Sequence, residues 1–377
     1  MSRDLVLIAM AMVTWGIGEG MFLYFEPLYL QELGASPVLI GVILGGIGLA
    51  MTVAYLPAGY LADRYGRRPL LYAAWFLGTV ATWMMAFANS LPIFVFASAL
   101  YGFTSFVVVP LNSYITAARG RLSVARALTL NSAAFNLGAI IGPLIGGWIG
   151  NQVGLRRTFF FAAIIFMLSS LIILFIRAQP VEDSTPQRIH HGLRGLLNPR
   201  YTQYLFVVFI AMFFMYLPQP LSQNFLQNER GVNLAEIGQL IAARSAGIVV
   251  LSLVLGQINA RLGFLLAHFA MVLFTLFLWR GSGISWYMLG YLLLGSYQTA
   301  RSLALAQGRS LVNEANMGLA YGMIETVSSL AIILAPPLAG ILYARNPVWI
   351  YSTSLGLIAL ALVHTTFFSP VRVRDIA

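Results

Sequence analysis

LVLIAMAMVTWGIGEGMFLYFEPLYL, residues 5–30, is an apolar run broken only by two carboxyl side chains, Glu19 and Glu26. About 20 mostly apolar residues suffice to span a bilayer as a helix, so the run reads as a transmembrane segment. It is far longer than the apolar core of a signal peptide, and no small-residue cleavage site follows it. A retained first span is therefore expected.

The rest of the chain repeats the pattern. Of 377 residues, 59% are hydrophobic and 9% charged, with a mean hydropathy of +0.82, which lies far from the balance of a soluble domain. The apolar runs have helix length rather than the alternating segments of an outer-membrane barrel, and every backbone amide in hydrocarbon must be paired within its own element. The expected fold class is an all-α integral membrane protein. Runs broken at charged or Gly/Pro/Asn clusters give twelve expected spans: 5–30, 37–61, 69–88, 91–117, 127–150, 158–177, 202–226, 235–258, 263–279, 284–308, 317–342 and 347–368. No room remains for a separate soluble domain.

The chain has no cysteine, so disulfides and thiolate metal sites are excluded,. Four histidines without H-E-x-x-H, P-loop or G-x-S-x-G patterns leave no visible metal, nucleotide or nucleophile site,. No cofactor and no metal are expected, and the chain does not read as an enzyme.

A net charge of +10 could suggest nucleic acid, but the positions of the arginines, which supply all of the positive charge, answer otherwise. With the N-terminus inside, arginines 3, 64, 67, 68, 119, 121, 126, 177, 188, 194, 200, 261, 309, 372 and 374 lie on the cytoplasmic side. Only 156, 157, 230, 280 and 345 lie outside. This asymmetry predicts a multi-pass protein of the cell inner (plasma) membrane with both termini cytoplasmic. The expected partners are protons, membrane lipids and a small-molecule substrate rather than nucleic acid, and a monomer is the expected state.

One polar stretch, Arg177 to Arg200, carries Glu182, Asp183, His190 and His191 and divides the spans six and six. The expected organisation is residues 1–178 as one six-helix bundle, 179–201 as a cytoplasmic linker and 202–377 as a second bundle. The halves also match each other. A shift of about 197 pairs Gly41 with Gly238, Gly59 with Gly256, Arg64 with Arg261 and Gly66 with Gly263; a shift of about 193 pairs Gly102 with Gly295, Pro143 with Pro336 and Gly147 with Gly340,. Two pseudo-symmetric six-helix bundles in parallel repeat are the economical reading, with a substrate site expected between them near mid-membrane.

Between spans two and three the chain reads Gly59-Tyr-Leu-Ala-Asp63-Arg64-Tyr-Gly66-Arg67-Arg68. This resembles the cytoplasmic-loop signature of the major facilitator superfamily, G-x-x-x-D-R-x-G-R-R, at every defined position. The resemblance implies the major facilitator fold and alternating access, with this loop as a gating latch. Span five carries Gly138-Ala-Ile-Ile-Gly142-Pro143-Leu-Ile-Gly146-Gly147, which resembles the G-x-x-x-G-P-x-x-G-G motif of antiporter branches. Small residues at four-residue spacing also make a face for close helix packing. Together these point to the drug/proton antiporter-like branch. Where many such antiporters carry an arginine in span four, four residues before the glycine matching Gly102, this chain has Ser98. A proton relay built on that arginine is in doubt.

Ionisable groups inside spans usually face a cavity or a partner. Glu19 shares a helix face with Trp15, Phe22 and Glu26,. A carboxylic acid in a partly desolvated cavity can exchange protons near neutral pH, which coupling to a proton gradient requires. Glu19 is the first candidate for that role, and the pair on span one looks like the acidic arrangement of multidrug/proton antiporters. Glu26, just before Pro27 near the outer end, fits proton coupling or a wetted entrance equally well. Glu325 in span eleven is a third candidate, and Arg301 in span ten or Arg244 in span eight would pair with it. Asn112, Asn131, Tyr216, Gln219, Gln223 and Gln298 complete a plausible cavity.

The leading expectation is a proton-coupled antiporter exporting a small amphipathic or lipophilic compound. A transporter of an anionic solute or lipid clamped by Arg244 and Arg301 is the alternative within transport. A non-transporting membrane receptor or scaffold is the alternative of another class.

Overall fold

The structure, a computed structural model, describes residues 2–179, 199–312 and 317–369, without the side chains at 56–60, 62–63, 125 and 318. The expected linker, with His190 and His191, lies almost wholly outside the described residues, as does the side chain of Asp63. Every regular element among the described residues is helical.

Among the described residues, ten helical stretches are long and apolar enough to cross a membrane. The first begins where Ser2 caps it, the serine hydroxyl accepting from the Leu5 amide at 3.1 Å,. Others stop at glycines with positive φ, such as Gly154 at 89° after Val124–Val153,. Large apolar side chains stand exposed on their outer faces, among them Phe367 at 77% and Phe76 at 70%. Exposure of that kind suits a lipid solvent and would be a liability in water.

Four expected spans are not continuous helices. Span one runs as Arg3–Phe22, a 3-10 turn Leu23–Phe25 and Glu26–Glu32. Span four runs as Leu91–Phe103, a 3-10 turn Thr104–Val107 and Val108–Ala118. Span seven divides into Pro199–Tyr216 and Ser222–Arg230, and span ten into Ile284–Leu294 and Ser296–Arg309. These last two are the expected spans missing from the ten. In span seven the cause is visible, because Pro218 and Pro220 supply no backbone donor and the chain turns through bonds from Gln219 N to Tyr216 O and Ser222 N to Gln219 O,. The breaks also obey the internal repeat, since span one corresponds to span seven and span four to span ten.

The described helices group into two compact units. The first holds the helices from Arg3 to Ile173 apart from Ser36–Gly45, and adds Val232–Ala242. The second holds Ser36–Gly45 and the helices from Pro199 onward apart from Val232–Ala242.

Within the first unit, spans one and five meet backbone to backbone. A Cβ added at Gly138 would lie 2.6 Å from Ile17 N, at Gly142 2.9 Å from Gly20 Cα, and at Gly146 2.7 Å from Met21 Cα. The glycine spacing of span five thus lets span one settle into it, which fixes the span that carries both carboxyls.

Candidate functional site

A cavity of about 440 Å³ opens within the first unit, lined by side chains of spans one to five. Trp15, Glu19, Phe22, Glu26, Asn112 and Asn131, all expected at the site from sequence, line it together. The turn at Leu23–Phe25 falls between the two carboxyls, and both still face the same space.

Glu19 is held by two neutral donors. Trp15 Nε1 donates to its Oε2 at 3.0 Å and the Tyr101 hydroxyl donates to the same oxygen at 2.7 Å. Trp15 is fixed in turn: its ring meets Trp75 at 4.9 Å and Phe166 at 4.7 Å, both edge-on. Trp75 Nε1 donates to Ser169 Oγ at 2.9 Å, and Ser169 donates to Ala11 O at 2.7 Å, closing the chain of contacts back on span one. Gly78 leaves the room, since a Cβ there would come 2.5 Å from Trp15 Cη2.

Tyr101 was not among the expected site residues. Its signal in the sequence was faint, an aromatic three residues after Ser98 and beside Gly102 in an aromatic-rich chain. Tyr101→Phe leaves Glu19 with one donor and is expected to lower stability in detergent by about 0.5 to 1.5 kcal/mol, the net worth of a typical hydrogen bond. A thermal melt checks this, and an unchanged Tm would mean that Tyr101 does not hold Glu19.

Glu26 opens the helix Glu26–Glu32 and is buried at 3% exposure. Its Oε1 accepts no hydrogen bond within normal distance and angle, while the Ser98 hydroxyl is placed as a hydrogen-bond donor toward its carboxyl. Asn131, at 6% exposure, likewise has an Oδ1 without a hydrogen bond. The lining contains two carboxyl groups and no arginine, lysine or histidine.

The remaining expected site residues lie in the second unit and do not line this cavity. Arg301 and Glu325 form an ion pair, with Arg301 Nε donating to Glu325 Oε2 at 2.7 Å and Nη2 donating to the same oxygen. Arg244 lies close enough to Tyr291 and Tyr297 for its charge to act on both. Tyr216 packs against Tyr297 at 5.3 Å. Gln219 is buried and donates to Met215 O at 2.9 Å, while Gln223 Oε1 accepts from Ser222 Oγ at 3.2 Å. Gln298 is exposed on the helix that carries Arg301.

With side chains 23% and 39% exposed, the Arg301–Glu325 pair is half-way between a surface pair and a buried one. Removing one partner is expected to cost about 1 to 3 kcal/mol, less than the 3 to 5 of a fully buried pair. A double-mutant cycle with Arg301→Leu and Glu325→Leu should show a coupling of about 1 kcal/mol or more. Strict additivity would mean that the two charges do not stabilise each other.

The cytoplasmic-loop motif has a local partner that sequence did not suggest. Gly66 turns the chain at φ 83°,. Arg68 Nε then donates to the Tyr72 hydroxyl at 2.6 Å, that hydroxyl donates to Leu174 O at 2.8 Å, and Arg67 Nη1 reaches Gln179 Oε1 at 3.4 Å. The two arginines therefore hold the stretch that leaves span six.

The family model of the Major Facilitator Superfamily matches residues 7–300. The chain is 30% identical over 173 residues to an uncharacterized MFS-type transporter of Methanocaldococcus jannaschii, covering 46% of this chain and 45% of the relative. It is 23% identical over 345 residues to multidrug resistance protein 2 of Bacillus subtilis, covering 88% and 86%. Multidrug resistance protein MdtG of Citrobacter koseri is 29% identical over 213 residues, covering 54% and 52%. The chain thus spans about half the length of the first and third of these relatives. In fold it superposes on the nucleoside transporter NupG with a TM-score of 0.83 at 13% identity, over 98% of this chain and 100% of that one. A bacterial homologue of the human lysosomal transporter Spinster gives a TM-score of 0.72 at 16% identity, over 97% and 93%.

Proposed function

We propose that this chain, which belongs to the Major Facilitator Superfamily, is a multi-pass membrane transporter of a small molecule rather than an enzyme, working as a proton-coupled antiporter that exports small amphipathic cations. The observation that carries this reading is the first-unit cavity, where two carboxyls share an apolar space lined by no basic side chain among the described residues. Such a space favours whatever brings positive charge to it, either a proton or a cation. The names of the multidrug resistance relatives support export as the direction.

Glu26 is the carboxyl we assign to the exchange. Glu19 Oε2 already receives two side-chain donors, so that oxygen is met without cargo. Glu26 has an open oxygen, and proton and cargo can compete for it. Competition makes the two binding events mutually weakening, as linkage demands, so cargo affinity should fall as pH falls. Alternating access then carries the proton in one direction and the cation in the other. We place the protein in the plasma membrane with both termini cytoplasmic, on the arginine asymmetry,.

The Arg301–Glu325 pair weighs against the anion-clamp alternative, because the guanidinium already has a carboxylate partner. A scaffold without transport has no need of two carboxyls facing one apolar cavity.

The reading is tested with a pH reporter inside proteoliposomes, challenged with lipophilic amines and with organic anions, and with protein-free liposomes as the baseline for passive amine entry. Amine-evoked proton movement above that baseline is expected. Movement evoked only by anions would favour the anion carrier, and none from any compound would favour the scaffold.

A further inference from the structure

Glu19 and Glu26 line one cavity from the same span, and no arginine, lysine or histidine lines it among the described residues. Seven residues separate them, which at about 1.5 Å of rise per residue sets them on the order of 10 Å apart along span one. Tyr101 lies close enough to both carboxyls for their charges to act on it. The lining between them on that span is apolar, Phe22 and Leu23.

Each carboxyl keeps an oxygen for cargo. Both donors of Glu19 go to Oε2, which leaves Oε1 to the cavity that the residue lines. Glu26 Oε1 is buried without a hydrogen bond, and the Ser98 hydroxyl aimed at that carboxyl is a neutral donor that leaves its charge unbalanced. Asn131 Oδ1 is also unmet, but the backbone contacts at Gly138 and Gly142 set Asn131 level with about residue 10 of span one, on the order of 20 Å from Glu26,. It belongs to the other end of the cavity.

We infer that the cavity is built for a dication, a cargo with two ammonium centres about 10 Å apart, one on Glu26 and the other on Glu19. This inference rests on the reading of the cavity as the cargo site. A monocation neutralises one carboxyl and leaves the other to hold a proton or to stand uncompensated in an apolar space. A cargo charged at both ends meets both, and a methylene chain between its charges suits Phe22 and Leu23.

The test is equilibrium binding of tritiated 1,8-diaminooctane and 8-aminooctan-1-ol to the purified protein near neutral pH. The two chains have the same length and differ in whether the far end is an ammonium or a hydroxyl. Extended, the nine bonds between the nitrogens of the diamine span about 11 Å. The wild type should bind the diamine about tenfold more tightly or better, as a second ion pair away from bulk water should give. With nitrogens only about 5 Å apart, 1,3-diaminopropane should show no such advantage over 3-aminopropan-1-ol, which separates spacing from charge. In Glu19→Gln, whose amide oxygen can still accept from Trp15 and Tyr101, the eight-carbon preference should fall to near parity. The chain-length comparison is made on the wild type and covers the case in which that variant does not fold. Equal binding of the eight-carbon pair by the wild type, an equal advantage for the three-carbon diamine, or a full preference in a folded Glu19→Gln overturns the inference. Proteoliposome flux separates the two readings. A diamine preference in binding without any amine-driven proton movement would sink antiport and leave the two-cation site standing, whereas proton movement with both eight-carbon probes and equal binding of the two would do the reverse. Failure of the wild type to bind either eight-carbon probe overturns both.

Discussion

Glu26→Gln is expected to reduce amine-driven proton movement in proteoliposomes by on the order of a hundredfold or more, the lower range of what a positioned proton-transfer group contributes. Glutamine keeps the size and an acceptor oxygen but cannot release a proton, so the cavity should still fill while the exchange stops. Glu19→Gln makes the informative contrast. Trp15 Nε1 and the Tyr101 hydroxyl both donate to Glu19 Oε2, and the amide oxygen can still accept from them. A partial loss is expected there. Full loss in Glu19→Gln with full activity in Glu26→Gln would exchange the two roles and return the coupling to the carboxyl that the span-one pattern favours.

The second large effect is structural. Gly142→Val should prevent normal assembly of the first unit, because a Cβ at this position lies 2.9 Å from Gly20 Cα and against Ile17 O, all backbone. Backbone cannot swing aside as a side-chain tip can, so spans one and five must separate or shift. A loss of about 3 kcal/mol or more is expected, the upper range for overpacking. Thermal melting in detergent and the yield of monodisperse protein both report it. A valine variant with the wild-type Tm and flux would show that span one does not sit in the glycine face of span five.

The breaks in spans one, four and ten explain where reading from sequence stops. A run of apolar residues satisfies the same length rule whether the helix is straight or interrupted, so hydropathy finds the span and misses the turn. Span seven was the exception in principle, since Pro218 and Pro220 stand in its middle,. The span-one carboxyls were legible because charge inside hydrocarbon demands a reason. Trp15, Phe22, Asn112 and Asn131 followed from helical spacing and polarity, and the structure brings them to the same cavity as Glu19 and Glu26. Tyr101 was not legible, as one aromatic among 13%, and its value comes from a contact between spans that no local pattern encodes. The second-half residues were legible as unusual but not as a group. Arg301 finds Glu325 across two spans, while Gln219 and Gln223 bond within their own turn.

The most direct test of the central claim, that cargo and proton compete for Glu26, is the proton count on binding. Purified protein in weakly buffered detergent solution near neutral pH, with a pH indicator, is titrated with N-methyl-4-phenylbutylammonium. The account predicts release of up to about one proton per amine bound, a release that vanishes in Glu26→Gln. Binding to the wild type with no proton released, or equal release from Glu26→Gln, would contradict it.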